Sequence, residues 1–211
     1  MELYSYFRSS AAYRVRIALN LKNISHGIIP VHLVKGQQRS DDYQAKNPSQ
    51  LLPSLQIDDG KILSQSMAIL DFLENEYPSP SLLPKDHYDR ATVLSMCHII
   101  ACDTHPVNNL RVLQYLTGEL NISDEQKQSW YAHWIKVNFT ALEQLLKTHG
   151  GQYAFGDNIT MADICLVPQV YNANRFKVDL SAFPNIVKVV ENCNQLDAFI
   201  QASPEKQIDF E

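Results

Sequence analysis

A proline-broken stretch, Tyr77-Pro78-Ser79-Pro80-Ser81-Leu82-Leu83-Pro84-Lys85-Asp86, divides this sequence into halves of different periodicity. Proline fixes φ and lacks a backbone donor, so regular structure does not run through such a stretch. Before the break, strand and helix signals alternate. Residues 3–6 read as a strand. Residues 11–21 read as a helix with Ala11, Val15, Ala18 and Leu19 on one face. Residues 27–33 read as a second strand, and 41–46 as a short helix stopped at Asn47-Pro48. Strands at 54–57 and 61–63 flank Asp58-Asp59-Gly60, a hairpin signal. A helix over 66–77 buries Ile69, Leu70, Leu73 and Tyr77. The order βαβ, hairpin, helix predicts a small mixed sheet covered by helices.

After the break the strand signals fade. Residues 87–118 read as one long helix, bent near Pro106, and 123–146 as another. Thr160-Met161-Ala162-Asp163 is a capping box that opens a third, and Phe183-Pro184 begins a fourth. The expectation is an α/β domain over residues 1–80 followed by an all-helical domain over 87–211.

Charge and composition exclude several classes. A net charge of −5 argues against nucleic-acid or anionic-membrane partners. The sequence has no run apolar enough to span a bilayer and no signal-peptide pattern, which points to the cytoplasm. Cys97, Cys102, Cys165 and Cys193 show no CxxC spacing and read as reduced thiols on helices. His98, Cys102 and His105 fall close together on a helix, but zinc asks for three or four ligands, so they read as packing residues and no metal is expected. Trp130, Tyr131, Trp134 and Phe139 read as core or interface.

The segment Phe7-Arg8-Ser9-Ser10-Ala11-Ala12-Tyr13-Arg14-Val15-Arg16-Ile17-Ala18-Leu19 carries the candidate chemistry. It places two hydroxyls where a strand ends and a helix begins. Helix starts leave N–H groups unpaired and carry partial positive charge, so they hold anions or lower the pKa of a nearby thiol. Two roles are open for these serines: helix N-cap, or hydrogen-bond donor to a sulfur. Both fit if one caps and the other faces the sulfur.

This segment also resembles the signature of the zeta class of cytosolic glutathione transferases, and the resemblance runs along essentially the whole chain. Asn47-Pro48 with Leu52-Pro53-Ser54-Leu55 is similar to the family's glutathione-binding loop, and Gln65-Ser66-Met67-Ala68-Ile69 to its γ-glutamyl turn. His105-Pro106-Val107-Asn108-Asn109-Leu110-Arg111-Val112-Leu113 resembles the bacterial zeta helix that faces the active site. Gly156-Asp157-Asn158-Ile159-Thr160-Met161-Ala162-Asp163 resembles the superfamily's capping motif, and Asn174-Arg175-Phe176-Lys177-Val178-Asp179-Leu180 a zeta-specific segment. One position departs: Ala11 stands where the signature usually has cysteine, so this segment carries no thiol of its own.

The resemblance implies a thioredoxin-like N-terminal domain joined to an all-α C-terminal domain, with glutathione as cofactor. It implies a cytosolic homodimer that converts maleylacetoacetate to fumarylacetoacetate by reversible thiolate addition, in tyrosine and phenylalanine breakdown, alongside glutathione transferase activity. By position in the motifs, Ser9 donates to the thiolate with Ser10 assisting. Gln38, Leu52, cis Pro53, Gln65, Ser66, His105 and Asn109 hold glutathione. Arg8, Arg111 and Arg175, which the family fold brings toward one cleft, anchor the carboxylates of a dicarboxylate enedione substrate. Arg14 and Arg16 read as structural, with Arg14 a candidate neighbour of the cofactor. A thiol of pKa about 8.5 is only roughly 3% ionised at pH 7, and lowering that pKa by about 2 takes roughly 2.7 kcal/mol. Alternatives are maleylpyruvate as substrate, a general transferase or peroxidase, and a non-catalytic glutathione-binding protein. The arginine set favours a doubly acidic substrate, and intact Ser9, Ser10, Gln65, Ser66 and Arg175 speak against the non-catalytic reading.

Overall fold

The alternating pattern before the proline break builds a four-stranded sheet in the computed structural model, which describes residues 1–211. Strands β1 (Glu2–Ser5), β2 (Gly27–Pro30), β3 (Ser54–Gln56) and β4 (Ile62–Ser64) lie in the order β2-β1-β3-β4. β1 runs parallel to β2, with Leu3 opposite Ile28, and antiparallel to β3, with Leu3 opposite Leu55. β3 and β4 form the hairpin, with Ser54 opposite Ser64. A parallel pair needs a crossover, which helix α1 (Ser10–Leu21) supplies. Helix α2 is the short Asp41–Gln44, and α3 spans Ser66–Glu76. Ala12, Val15, Ile17, Ala18 and Leu19 of α1 are buried, as are Ile69, Leu70 and Leu73 of α3.

β2 is shorter than the sequence suggests. Val31 N–H still donates to Ser5 C=O at 2.8 Å. The next amide, His32 N–H, turns instead to the Gln37 side chain at 2.7 Å, so the ladder ends and a loop begins.

Beyond the break the elements are helical: α4 (His87–His98), α5 (Leu110–Gly118), α6 (Asp124–His149), α7 (Met161–Arg175) and α8 (Pro184–Cys193). The single long helix expected over 87–118 is two helices. A π-helical segment, Ile99–Thr104, follows α4, and Pro106 then has no N–H with which to continue the ladder. The Asn109 side chain restarts it by accepting from Arg111 N–H at 3.2 Å. The expected capping box forms between Thr160 and Asp163, and a second one, Ser123 with Gln126, opens α6. Glu143 of α6 accepts from the α8 amides of Asn185 and Ile186 at 2.9 and 3.0 Å, which fixes the start of α8.

A final helix, α9 (Asp197–Ala202), has no counterpart in the sequence reading. The chain divides into two compact units, Met1–Ser81 with Asn194–Glu211, and Leu82–Cys193. Residues 194–211 therefore pack with the sheet unit, although the sequence assigns them to the helical domain. The physical reason lies in α1. Asn20 Nδ2 donates to Ala198 C=O at 3.0 Å, Arg16 Nε donates to Ala202 C=O at 2.8 Å, and Phe199 is fully buried. No helix is long and apolar enough to cross a membrane.

Candidate active site

The strand register gathers three loops at one end of the sheet. β1 leads into the Tyr6–Ser9 turn, Pro53 immediately precedes β3, and Gln65 immediately follows β4. Because Tyr4 pairs with Ser54 and Ser54 with Ser64, the three segments leave the sheet side by side.

Ser9 is the N-cap of α1, and its Oγ accepts from Ala12 N–H at 3.2 Å. Its own N–H donates to Tyr6 C=O at 2.9 Å. Capping uses an oxygen lone pair and leaves the hydroxyl proton available to donate. Ser9 is half-buried, and Ser10 is buried in the first turn. The arginines of the segment divide sharply. Arg8 is exposed, its guanidinium 4.7 Å from the Phe7 ring centroid. Arg16 is buried and saturated, donating to Ser5 Oγ, Tyr6 C=O, Phe7 C=O and Ala202 C=O. Arg14 is just as buried but bonds only through Nη1 to Ser66 Oγ at 3.2 Å, and its Nε and Nη2 have no partner.

That bond ties the second turn of α1 to the first residue of α3. Gln65, the N-cap of α3, has φ 68°, a left-handed conformation that costs a non-glycine residue roughly 1–3 kcal/mol. It makes no side-chain cap, so the amides at the start of α3 have no side-chain acceptor there. A buried guanidinium with two open donors, a hydroxyl and a helix N-terminus together suit a carboxylate. The γ-glutamyl end of glutathione fits this donor set. The sequence reads Arg14 and Arg16 alike as structural, with Arg14 a candidate neighbour of the cofactor; both are equally buried in α1, and the unused donors of Arg14 tell the two apart.

The Leu52–Pro53 peptide is cis, as the resemblance implies. Leu52 stands outside the strand ladders, so its backbone is available for an extended ligand. The loop before it is held by Tyr43 and Asn47. Tyr43 Oη donates to Leu51 C=O at 2.7 Å, and Asn47 Nδ2 reaches Leu51 C=O at 2.9 Å and Ser54 Oγ at 3.0 Å. Burial pushes the Tyr43 phenol above its usual range, which keeps it a donor. Gln38 is buried with an unpaired Oε1.

In the helical unit, Asn109 Nδ2 stands 3.4 Å from His105 Nε2 at the start of α5, and Arg111 is exposed in its first turn. Arg175 is exposed in the last turn of α7, its guanidinium 4.7 Å from the Phe176 ring centroid. Phe176 is itself stacked on Tyr131 with centroids 3.7 Å apart. No group of three or more His, Cys, Asp and Glu stands close enough to hold a metal ion.

Comparison with known proteins identifies the family and the fold. Residues 3–81 match the N-terminal domain of glutathione S-transferases, and residues 110–201 match the C-terminal domain. A probable maleylacetoacetate isomerase of Vibrio cholerae is 46% identical, over 98% of this chain and 97% of its own length. The solved holo structure of a maleyl pyruvate isomerase, a bacterial glutathione S-transferase of the zeta class, is 43% identical and covers 100% of both chains at a TM-score of 0.97. A solved maleylacetoacetate isomerase of Methylobacterium extorquens, with bound malonate and GSH, is 34% identical and covers 98% of both chains at a TM-score of 0.94. This chain belongs to the glutathione S-transferase family and, within it, to the zeta class.

Proposed function

We propose that this protein catalyses the glutathione-dependent cis–trans isomerisation of maleylacetoacetate to fumarylacetoacetate. The observation that carries the reading is the Ser9 hydroxyl, held at the N-terminus of α1 with its proton uncommitted by the cap. Bound glutathione supplies a thiolate that adds reversibly to the cis double bond and so lets it rotate. The chain's residues bind, orient and hold charge. Ser9 donates to the sulfur, Ser10 assists, and the α1 dipole favours the anion. Ser66 and Gln65, backed by Arg14, hold the γ-glutamyl carboxylate. Leu52 beside Pro53 pairs with the cysteinyl backbone, and Gln38, His105 and Asn109 complete the cofactor contacts. Arg8, Arg111 and Arg175 take the substrate carboxylates, and their exposure leaves them open to an arriving dianion. The same reading makes the protein a cytoplasmic homodimer at work in tyrosine and phenylalanine breakdown, as its resemblance to the zeta class implies. Maleylpyruvate is the second reading, favoured by the 0.97 match to a maleyl pyruvate isomerase.

The test supplies the cis forms of maleylacetone and maleylpyruvate with substoichiometric glutathione and follows isomerisation. Turnover many times beyond the glutathione added is the expected result, and the faster substrate identifies the class. A rate unchanged when glutathione is omitted overturns the proposal. Arg175→Ala raises the substrate KM while kcat changes little, because it removes binding common to ground and transition states.

A further inference from the structure

The last residues of the chain play no part in the chemistry above, yet they reach the loop that carries Ser9. Asp209 Oδ2 accepts from Phe7 N–H at 3.0 Å, two residues before Ser9. The Phe210 ring meets Phe7 edge-on, with centroids 5.5 Å apart and planes at 85°. Glu211 takes Lys35 Nζ at 3.1 Å and His32 Nε2 at 3.3 Å, on the loop that leads to Gln38.

Phe7 lies past the end of β1 and before the first turn of α1, so neither ladder offers its amide an acceptor. Phe7 is also buried, and a buried donor without an acceptor is costly. The carbonyls of the same turn are held from the other side, because Arg16 donates to Tyr6 C=O and Phe7 C=O. The turn is therefore gripped by two charged groups, a guanidinium on its carbonyls and a carboxylate on its amide. The other carboxylate oxygen of Asp209 is buried with no partner, which makes this aspartate a poor choice for stability alone.

We propose that Asp209 is a positioning residue: by fixing Phe7 N–H it sets the aim of the Ser9 hydroxyl toward the glutathione sulfur. Phe210 and Glu211 complete a clasp that joins the Ser9 turn to the 32–38 loop. This rests on the reading of Ser9 as thiolate donor.

The experiment uses the full chain with Asp209→Ala, Asp209→Asn and Ser9→Ala. It reads amide hydrogen exchange at Phe7 in the ligand-free protein, the pH at which bound glutathione ionises (from its thiolate absorbance), and kcat with the glutathione KM. Asp209→Ala speeds exchange at Phe7, moves the ionisation upward toward that of Ser9→Ala, and lowers kcat roughly threefold to tenfold with little change in KM. Asp209→Asn keeps an acceptor oxygen and restores all three. If Asp209→Ala does not fold, Asp209→Glu, which displaces the acceptor by one methylene, must move the ionisation in the same direction. If Ser9→Ala leaves the ionisation in place, the reading of Ser9 falls. If Ser9→Ala moves it and the Asp209 variants do not, or if a folded Asp209→Asn fails like Asp209→Ala, the clasp falls alone.

Discussion

Ser9 carries two jobs on one oxygen, and substitution can separate them. The cap uses an acceptor lone pair, whereas stabilising a thiolate uses the hydroxyl proton. Ser9→Ala removes both, and costs about 0.5–2 kcal/mol of stability along with activity. Ser9→Asp keeps a good N-cap but places a negative charge beside the sulfur. Its stability returns toward wild type in denaturant titration while its activity stays at or below that of Ser9→Ala. An active Ser9→Asp rules out a donor role for this hydroxyl. The cysteines are a second residue-scale matter. Cys97, Cys165 and Cys193 are buried and Cys102 is exposed. Burial, and then the neighbouring Asp163 carboxyl, push the Cys193 thiol well above the usual range, so it stays protonated and unreactive. A thiol reagent is expected to modify Cys102 alone in the native protein and all four cysteines after unfolding. The serines were legible in the sequence because their position between a strand and a helix is a local property. The difference between Arg14 and Arg16 was not, because it depends on acceptors far along the chain: Ser66 for one and Ala202 for the other.

At the scale of elements, the start of the proline-broken stretch is set by one lysine. Lys22 Nζ, fully buried at the end of α1, donates to Glu74 Oε2 at 2.8 Å, Tyr77 C=O at 2.6 Å and Pro80 C=O at 2.9 Å. Ser81 Oγ donates to the other Glu74 oxygen at 2.7 Å. One ammonium thus satisfies the end of α3 and ties the break to α1. Lys22→Met leaves the Glu74 carboxylate buried without its cation, at a cost of about 3–5 kcal/mol. The double variant Lys22→Met with Glu74→Leu removes both charges and is expected to be more stable than Lys22→Met alone. Chemical denaturation of the single and double variants checks this, and a single variant within about 1 kcal/mol of wild type contradicts it. The elements before the break were legible because short strands and an amphipathic helix announce themselves by period. The break in the helix over 87–118 was half legible. Pro106 marked a bend, but the widening to a π-helical turn at Ile99–Thr104 has no signature in a single sequence.

At the scale of the whole molecule, the chain does not partition in the order it is written. Residues 194–211 join the sheet unit, where α9 covers α1. A helix of six residues is too short to show a period, and its partners lie nearly the whole chain away, so no local signal could have placed it. The consequence is testable at Phe199, which is fully buried in that unit. Phe199→Ala removes a large aromatic ring from a filled core and costs about 3–5 kcal/mol. It also loosens the stretch of α9 whose Ala202 carbonyl accepts from Arg16, and Arg16 in turn holds the carbonyls of the Ser9 turn. Hydrogen exchange should therefore quicken first in α1 and the Tyr6–Ser9 turn, with the middle of α6 less affected. Activity falls with that turn's protection rather than with global unfolding. If protection in α6 is lost together with that of α1, or if α1 keeps its protection in a folded Phe199→Ala, the C-terminal helix does not support the turn that carries Ser9.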